Sequence, residues 1–134
     1  MSFVSLLVKP KIVTLTSARC DAPSYDCIPP ERSVPLTHLS AFAKMGGVPS
    51  AYLSWLICED YDAFDVGHAL TACGYSGPCI FVSPDLPNTA MVLRELVVAF
   101  PRLAITLWPN SEAPLLAEAF CAALIQAEPV VRRV

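Results

Sequence analysis

Three short apolar runs, evenly separated by segments of helical periodicity, constrain this chain more than anything else in it. They are Ala51–Ile57, Pro78–Ser83 and Leu103–Trp108. Each is nearly continuous in apolar residues, as expected of strands buried on both faces of a parallel sheet. Between them lie two segments that suit helices. Ala63–Cys73 ends at Gly74, and Thr89–Phe100 follows the candidate caps Asp85 and Asn88, with Met91, Val92, Leu96 and Ala99 on one face. A third helix, with Ser33 as cap and Pro35 in its first turn, carries Leu36, Leu39, Phe42 and Ala43 and stops at Gly46-Gly47 before Pro49. A fourth follows Asn110 or Ser111 and ends before Pro129. Strands alternating with helices imply right-handed βαβ units. The expected fold is therefore α/β, a three-layer sandwich around a mainly parallel five-stranded sheet. With no repeat, linker or low-complexity segment, residues 1–134 read as a single domain.

The first third is less regular. Phe3–Val8 and Lys11–Ser17 both qualify as the first central strand. Ala18–Arg32 contains Pro23, Pro29 and Pro30 and reads as a loop with a short strand at Tyr25–Ile28. No first helix is evident.

Composition narrows the function. The net charge of −3 offers no basic footprint for nucleic acid, and Arg132 and Arg133 read as a solvated tail. No run reaches the ~18 apolar residues of a membrane span. Ser2–Val8 lacks the preceding positive charge and the length of a signal-peptide core, so the expected location is the cytoplasm. Only 16% of residues are charged and 54% are hydrophobic; a typical soluble domain is about 25% charged. Apolar surface is therefore expected to be exposed unless a partner covers it. The six cysteines lie mostly in apolar contexts and read as reduced core residues.

Residue by residue, the middle of the chain resembles the receiver domain of response regulators, a flavodoxin-like family. Receivers carry a Pro-Asp-Leu-Val-Leu-Leu-Asp-Leu-type third strand and then a Pro-Asp-Met-Asp-Gly-type loop. Pro49-Ser50-Ala51-Tyr52-Leu53-Ser54-Trp55-Leu56 fits the strand without a gap, and Cys58-Glu59-Asp60-Tyr61-Asp62-Ala63-Phe64 fits the loop. His68-Ala69-Leu70 through Gly74 to Ser83 then matches a receiver's third helix and fourth strand at the same spacing. The resemblance covers about residues 35–126 and leaves 1–34 divergent.

The resemblance implies a phosphoacceptor pocket that has lost its chemistry. The phospho-accepting aspartate falls on Trp55. The hydroxyl ending the fourth strand falls on Ser83 and is kept, and the lysine ending the fifth falls on Trp108, with Pro109 kept. Neither candidate first strand ends in the acidic pair that would hold magnesium. Phosphotransfer needs a nucleophilic carboxylate, a metal held by carboxylates and a cation for the phosphoryl oxygens. An indole supplies none of these. Two tryptophans at the ends of neighbouring strands would instead fill the pocket with ring surface.

Rival sites are weaker. Cys58 with His68 could suggest a nucleophile and base, but no orienting third group is visible. Cys20 and Cys27 lack the close spacing of zinc ligands, so no metal and no cofactor are expected. Cys73 and Cys79 bracket a turn and could oxidise to each other. Glu59, Asp60, Asp62 and Asp65 read either as a solvated loop and helix start or as a recognition edge at the carboxyl end of the sheet. Gly46-Gly47 does not begin a helix after a strand and is no phosphate loop.

The sequence thus points to a pseudo-receiver that cannot be phosphorylated and works by protein contact in bacterial two-component signalling, as a homodimer or with a signalling partner. Leu93, Val97, Val98 and Leu115 exceed what the helices can bury and are the expected interface. The alternatives are a small flavodoxin-like enzyme using Cys58, Ser83 or the acidic loop, and a structural subunit of a constitutive complex.

Overall fold

The computed structural model describes residues 11–29, 32–45 and 48–126. Five strands form one sheet: β1 (Ile12–Thr16), β2 (Ser33–Pro35), β3 (Ala51–Trp55), β4 (Pro78–Ser83) and β5 (Ala104–Pro109). Every pairing is parallel, and the order across the sheet is β2-β1-β3-β4-β5. This is the flavodoxin-like order, which reverses direction beside β1. Among the described residues the α-helices are α1 (Leu39–Met45), α2 (Ala63–Ala72), α3 (Thr89–Ala99) and α4 (Ala113–Gln126).

The helices divide between two faces. Leu39 of α1, Ala63, Val66 and Leu70 of α2, and Leu96 of α3 pack with Val13, Leu15, Tyr52 and Phe81 into one cluster. Ala113, Ala117 and Cys121 of α4 pack on the other face against Ile12, Ala51, Leu53, Ile80 and Val82. That α4 stripe is made of small residues at i, i+4 and i+8, which lets the helix approach the sheet closely.

Local chemistry explains the boundaries. Asp62 caps α2 by accepting from the Phe64 and Asp65 backbone N–H groups at 3.0 and 3.1 Å, and the Asp65 carboxylate accepts from the Asp62 N–H at 2.9 Å. This reciprocal capping box fixes the start of the helix. Gly74, at φ +80°, ends it in the left-handed conformation that glycine adopts without strain. The Asn88 side chain caps α3 by accepting from the Met91 N–H at 3.2 Å.

The first third corrects several expectations. Lys11–Ser17 supplies a central strand, Ile12–Thr16; the other candidate, Phe3–Val8, lies outside the described residues, as do Gly46-Gly47, Pro129 and the Arg132–Arg133 tail. Tyr25–Ile28 is a tight turn closed by an Ile28 N–H to Tyr25 C=O bond of 3.0 Å, not a strand. The strand is instead Ser33–Pro35, the segment expected to start a helix. It pairs with Thr14–Thr16 at the edge of the sheet, where proline's missing N–H costs no ladder bond. The β1–β2 crossover holds no α-helix among the described residues. On α3 the buried stripe is Leu96 with half-buried Val92, continued by Phe100 just past the helix; Met91 and Ala99 are exposed rather than core.

Candidate functional site at the carboxyl edge of the sheet

At the carboxyl edge, β3 runs past Trp55 into a tight turn. The Cys58 N–H bonds the Tyr61 C=O at 2.8 Å, which puts Glu59 and Asp60 at the exposed corner. The turn is held from below by Tyr61, whose buried hydroxyl meets the Ser54 hydroxyl at 3.0 Å. Burial pushes the Tyr61 phenol above its ordinary range.

The loop that follows β1 lies against this turn and meets it at successive points. The Ser17 hydroxyl donates to Asp60 Oδ1 at 2.7 Å. Arg19 Nη1 stands 4.0 Å from Glu59 Oε1, an exposed pair of little energetic weight. The Thr16 hydroxyl donates to the Cys20 C=O at 2.6 Å and so shapes the loop beside the turn. Trp55 Nε1 donates to the Asp21 C=O at 2.7 Å. Sequence reasoning missed Ser17, Arg19, Cys20 and Asp21 in this role, because only their partners belong to a recognisable element.

All four acidic residues of the expected recognition loop are thereby engaged. Glu59 and Asp60 face the first loop, and Asp62 and Asp65 form the α2 capping box. Among the described residues, no three histidine, cysteine, aspartate or glutamate side chains converge as metal ligands.

Trp55, Ser83 and Trp108 lie at the carboxyl ends of three successive strands of the sheet, β3, β4 and β5. β3 and β5 are not neighbours; they flank β4, and Trp55, Val82 and Trp108 form one row across the sheet. Both indoles therefore project to the α4 face. Trp108 is buried, with its ring 6.0 Å from that of Phe120. Trp55 is half-buried and pins the first loop. Ser83, one residue beyond that row, is buried and donates to the Pro84 C=O at 2.7 Å. The two indoles thus stand on either side of Val82, in the same cluster on the α4 face.

The nucleophile reading gains little from this geometry. Cys58 is tied to Tyr61 through its backbone N–H, while His68 packs edge-on against Phe100 with centroids 5.0 Å apart. Burial first, and the Cys20 thiol second, push the Cys58 thiol up to about 11, so it is a protonated thiol at neutral pH.

A cleft of about 350 Å³ lies between the loop and the sheet, lined by Thr14, Thr16, Asp21, Pro23, Ile28 and Ser33. At the opposite, amino edge, a cleft of about 280 Å³ runs along Pro49, Tyr52, Tyr75 and Pro78.

Of the four expected interface residues, Val97, Val98 and Leu115 are 44%, 76% and 74% exposed, and Leu93 is half-buried. Val97 and Val98 on α3 and Leu115 on α4 flank β5, an edge strand with Ala104 and Thr106 open to solvent. Among the described residues, no helix is long and apolar enough to cross a membrane. No known family matches the chain, and no curated protein or solved structure matches it.

Proposed function

We propose that the chain is a receiver-like signalling module without phosphotransfer chemistry, which acts by protein contact and pairs with a second copy of itself through the β5 edge. The observation that carries this reading is Trp55. It ends β3, where a phosphoacceptor would need a carboxylate, and its indole N–H is committed to the Asp21 carbonyl. Its counterpart at the end of β5, Trp108, is packed on Phe120 and carries no charge for a phosphoryl oxygen.

The contact surface is supported by the exposure of Val97, Val98, Leu115 and Met91 around a strand edge that is unpaired among the described residues. A second copy is the favoured occupant because the surrounding charges are mixed. Both signs are exposed on these elements, Arg94 and Glu95 on α3, Arg102 before β5 and Glu112 before α4, so a two-fold arrangement can set each sign against the other. A standard interface removes ~1,600 Å² from water, enough to cover such a patch on both copies.

Sedimentation at micromolar concentration tests the pairing. The wild type sediments as a dimer, and Val98→Asp sediments as a folded monomer, because dimerisation would bury an unpaired charge. A monomeric wild type would overturn the pairing, as would a Val98→Asp protein that remains dimeric.

A further inference from the structure

The middle of the chain is acidic out of proportion to the rest. From Ala51 to Phe100 it carries six carboxylates, Glu59, Asp60, Asp62, Asp65, Asp85 and Glu95, against one arginine, Arg94. The whole chain has 12 acidic residues and nine lysines and arginines, so this stretch holds half of the acid and a ninth of the base. The same stretch lines an apolar groove of about 320 Å³ on the sheet face covered by α2 and α3. Leu56 and Leu96, both buried, form its floor. Ile57 and Phe64 line it from the turn after β3 and the start of α2, and are 60% and 39% exposed. Half-buried Leu86 and Val92 line it from the β4–α3 side.

The charged residues in the lining are both exposed carboxylates, Asp62 and Glu95. Asp62 accepts its two cap bonds through Oδ1. Among the described residues, its Oδ2 and the Glu95 carboxylate accept no hydrogen bond and join no ion pair; the nearby ion pair is that of Arg19 with Glu59.

We infer that this groove docks a short segment of a partner protein in which apolar anchors are flanked by lysine or arginine. The anchors follow from size and lining. A cavity of about 150 Å³ holds one benzene ring, so about 320 Å³ takes about two ring-sized side chains. Covering Ile57 and Phe64 also removes apolar surface from water. The flanking charges follow from the rim. A cation beside Asp62 Oδ2 or Glu95 gains a charge-assisted hydrogen bond. An anionic lipid surface, a nucleic acid or an acidic peptide would meet charge of its own sign. The same reasoning excludes this groove on a second copy as the occupant. A two-fold contact places one patch on both sides, and here it would set carboxylate against carboxylate. The inference deepens the protein-contact reading and rests on it, but uses a groove distinct from the β5 edge.

The test selects a phage-displayed library of random dodecapeptides against the folded full chain. Enriched peptides are then labelled with a fluorophore and titrated by anisotropy. They are expected to carry neighbouring aromatic or aliphatic residues flanked by lysine or arginine, and to bind more weakly as salt is raised. Glu95→Lys and Ile57→Lys each place a like charge at the rim and should weaken binding ~10-fold or more. Glu95→Gln should give a smaller loss in the same direction. Both positions are exposed, and an unchanged urea midpoint shows that the fold is intact. Val98→Asp, the variant that separates the proposed pair, should not weaken binding. No enrichment, enriched sequences without basic residues, or affinity that neither lysine substitution lowers would each overturn the inference. Weakening by Val98→Asp would also overturn it, by placing the contact at the β5 edge. A monomeric wild type that still binds these peptides would instead overturn the pairing alone and leave the groove's role standing.

Discussion

Gly67 sits in α2 where that helix crosses Phe100, and replacing it with alanine tests the packing between α2 and α3. A Cβ at Gly67 would lie 2.3, 2.5 and 2.6 Å from Cε2, Cζ and Cδ2 of the Phe100 ring. Carbon contacts are comfortable at about 3.5 Å, so the ring would have to retreat by about 1 Å. It has little room. Phe100 is only 3% exposed, and its ring lies 5.0 Å from His68 and 5.8 Å from Phe64. Alanine improves helix propensity by about 1 kcal/mol. Overpacking a close-packed site costs about 1–3 kcal/mol, and a clash with three atoms of a hemmed ring belongs at the upper end of that range. The expected net loss for Gly67→Ala is thus about 1–2 kcal/mol, read as a lower urea midpoint at unchanged slope. Phe100→Leu in the same background should recover part of the loss, a coupling that a double-mutant cycle measures. A Gly67→Ala midpoint equal to or above wild type would refute the packing argument.

Three further outcomes follow from single contacts. Burial pushes the Cys79 thiol from its ordinary value near 9 up to about 12, so the folded state holds that proton more tightly than the unfolded chain. The associated stability is complete below pH ~9 and is lost as pH rises toward 12, at about 1.4 kcal/mol per pH unit for this group; equal urea midpoints at pH ~8 and pH ~10.5 would contradict it. Asp62→Ala removes the acceptor of the α2 capping box and should cost about 1 kcal/mol, whereas Asp62→Asn should retain most of it; thermal denaturation showing the two variants alike would count against the cap. Trp55→Phe removes the N–H bond to the Asp21 carbonyl and should cost about 1 kcal/mol. It should also speed amide exchange in residues 20–28, and unchanged exchange there would mean that the indole does not hold the loop.

The sheet is legible from Ala51 onward because β3 and β4 are buried on both faces and so appear as unbroken apolar runs, which β5 matches in composition. The same property hid the topology: a run such as Leu103–Trp108 does not reveal that β5 is an edge, or that Trp55 and Trp108 are separated by β4. Asp62 and Asp65 read as an acidic cluster because capping geometry depends on the backbone of Phe64 and Asp65, which composition does not display. β2 was misread as a helix start, since Ser33 and Pro35 are common at helix starts and also suit a short edge strand. The contacts that shape the carboxyl edge join residues far apart in the chain, such as Ser17 with Asp60. No local spacing announces them, and the contact of the Cys121 thiol with the Cys27 carbonyl, 94 positions away, shares that property.

The claim that the receiver-like pocket has exchanged phosphotransfer for packing is tested most directly by incubating the protein with magnesium and acetyl phosphate and recording its intact mass. The account predicts an unchanged mass, because Trp55 and Trp108 stand where the acceptor carboxylate and the phosphoryl-binding cation would be required. Stoichiometric gain of one phosphoryl group, released by hydroxylamine as an acyl phosphate would be, would contradict it.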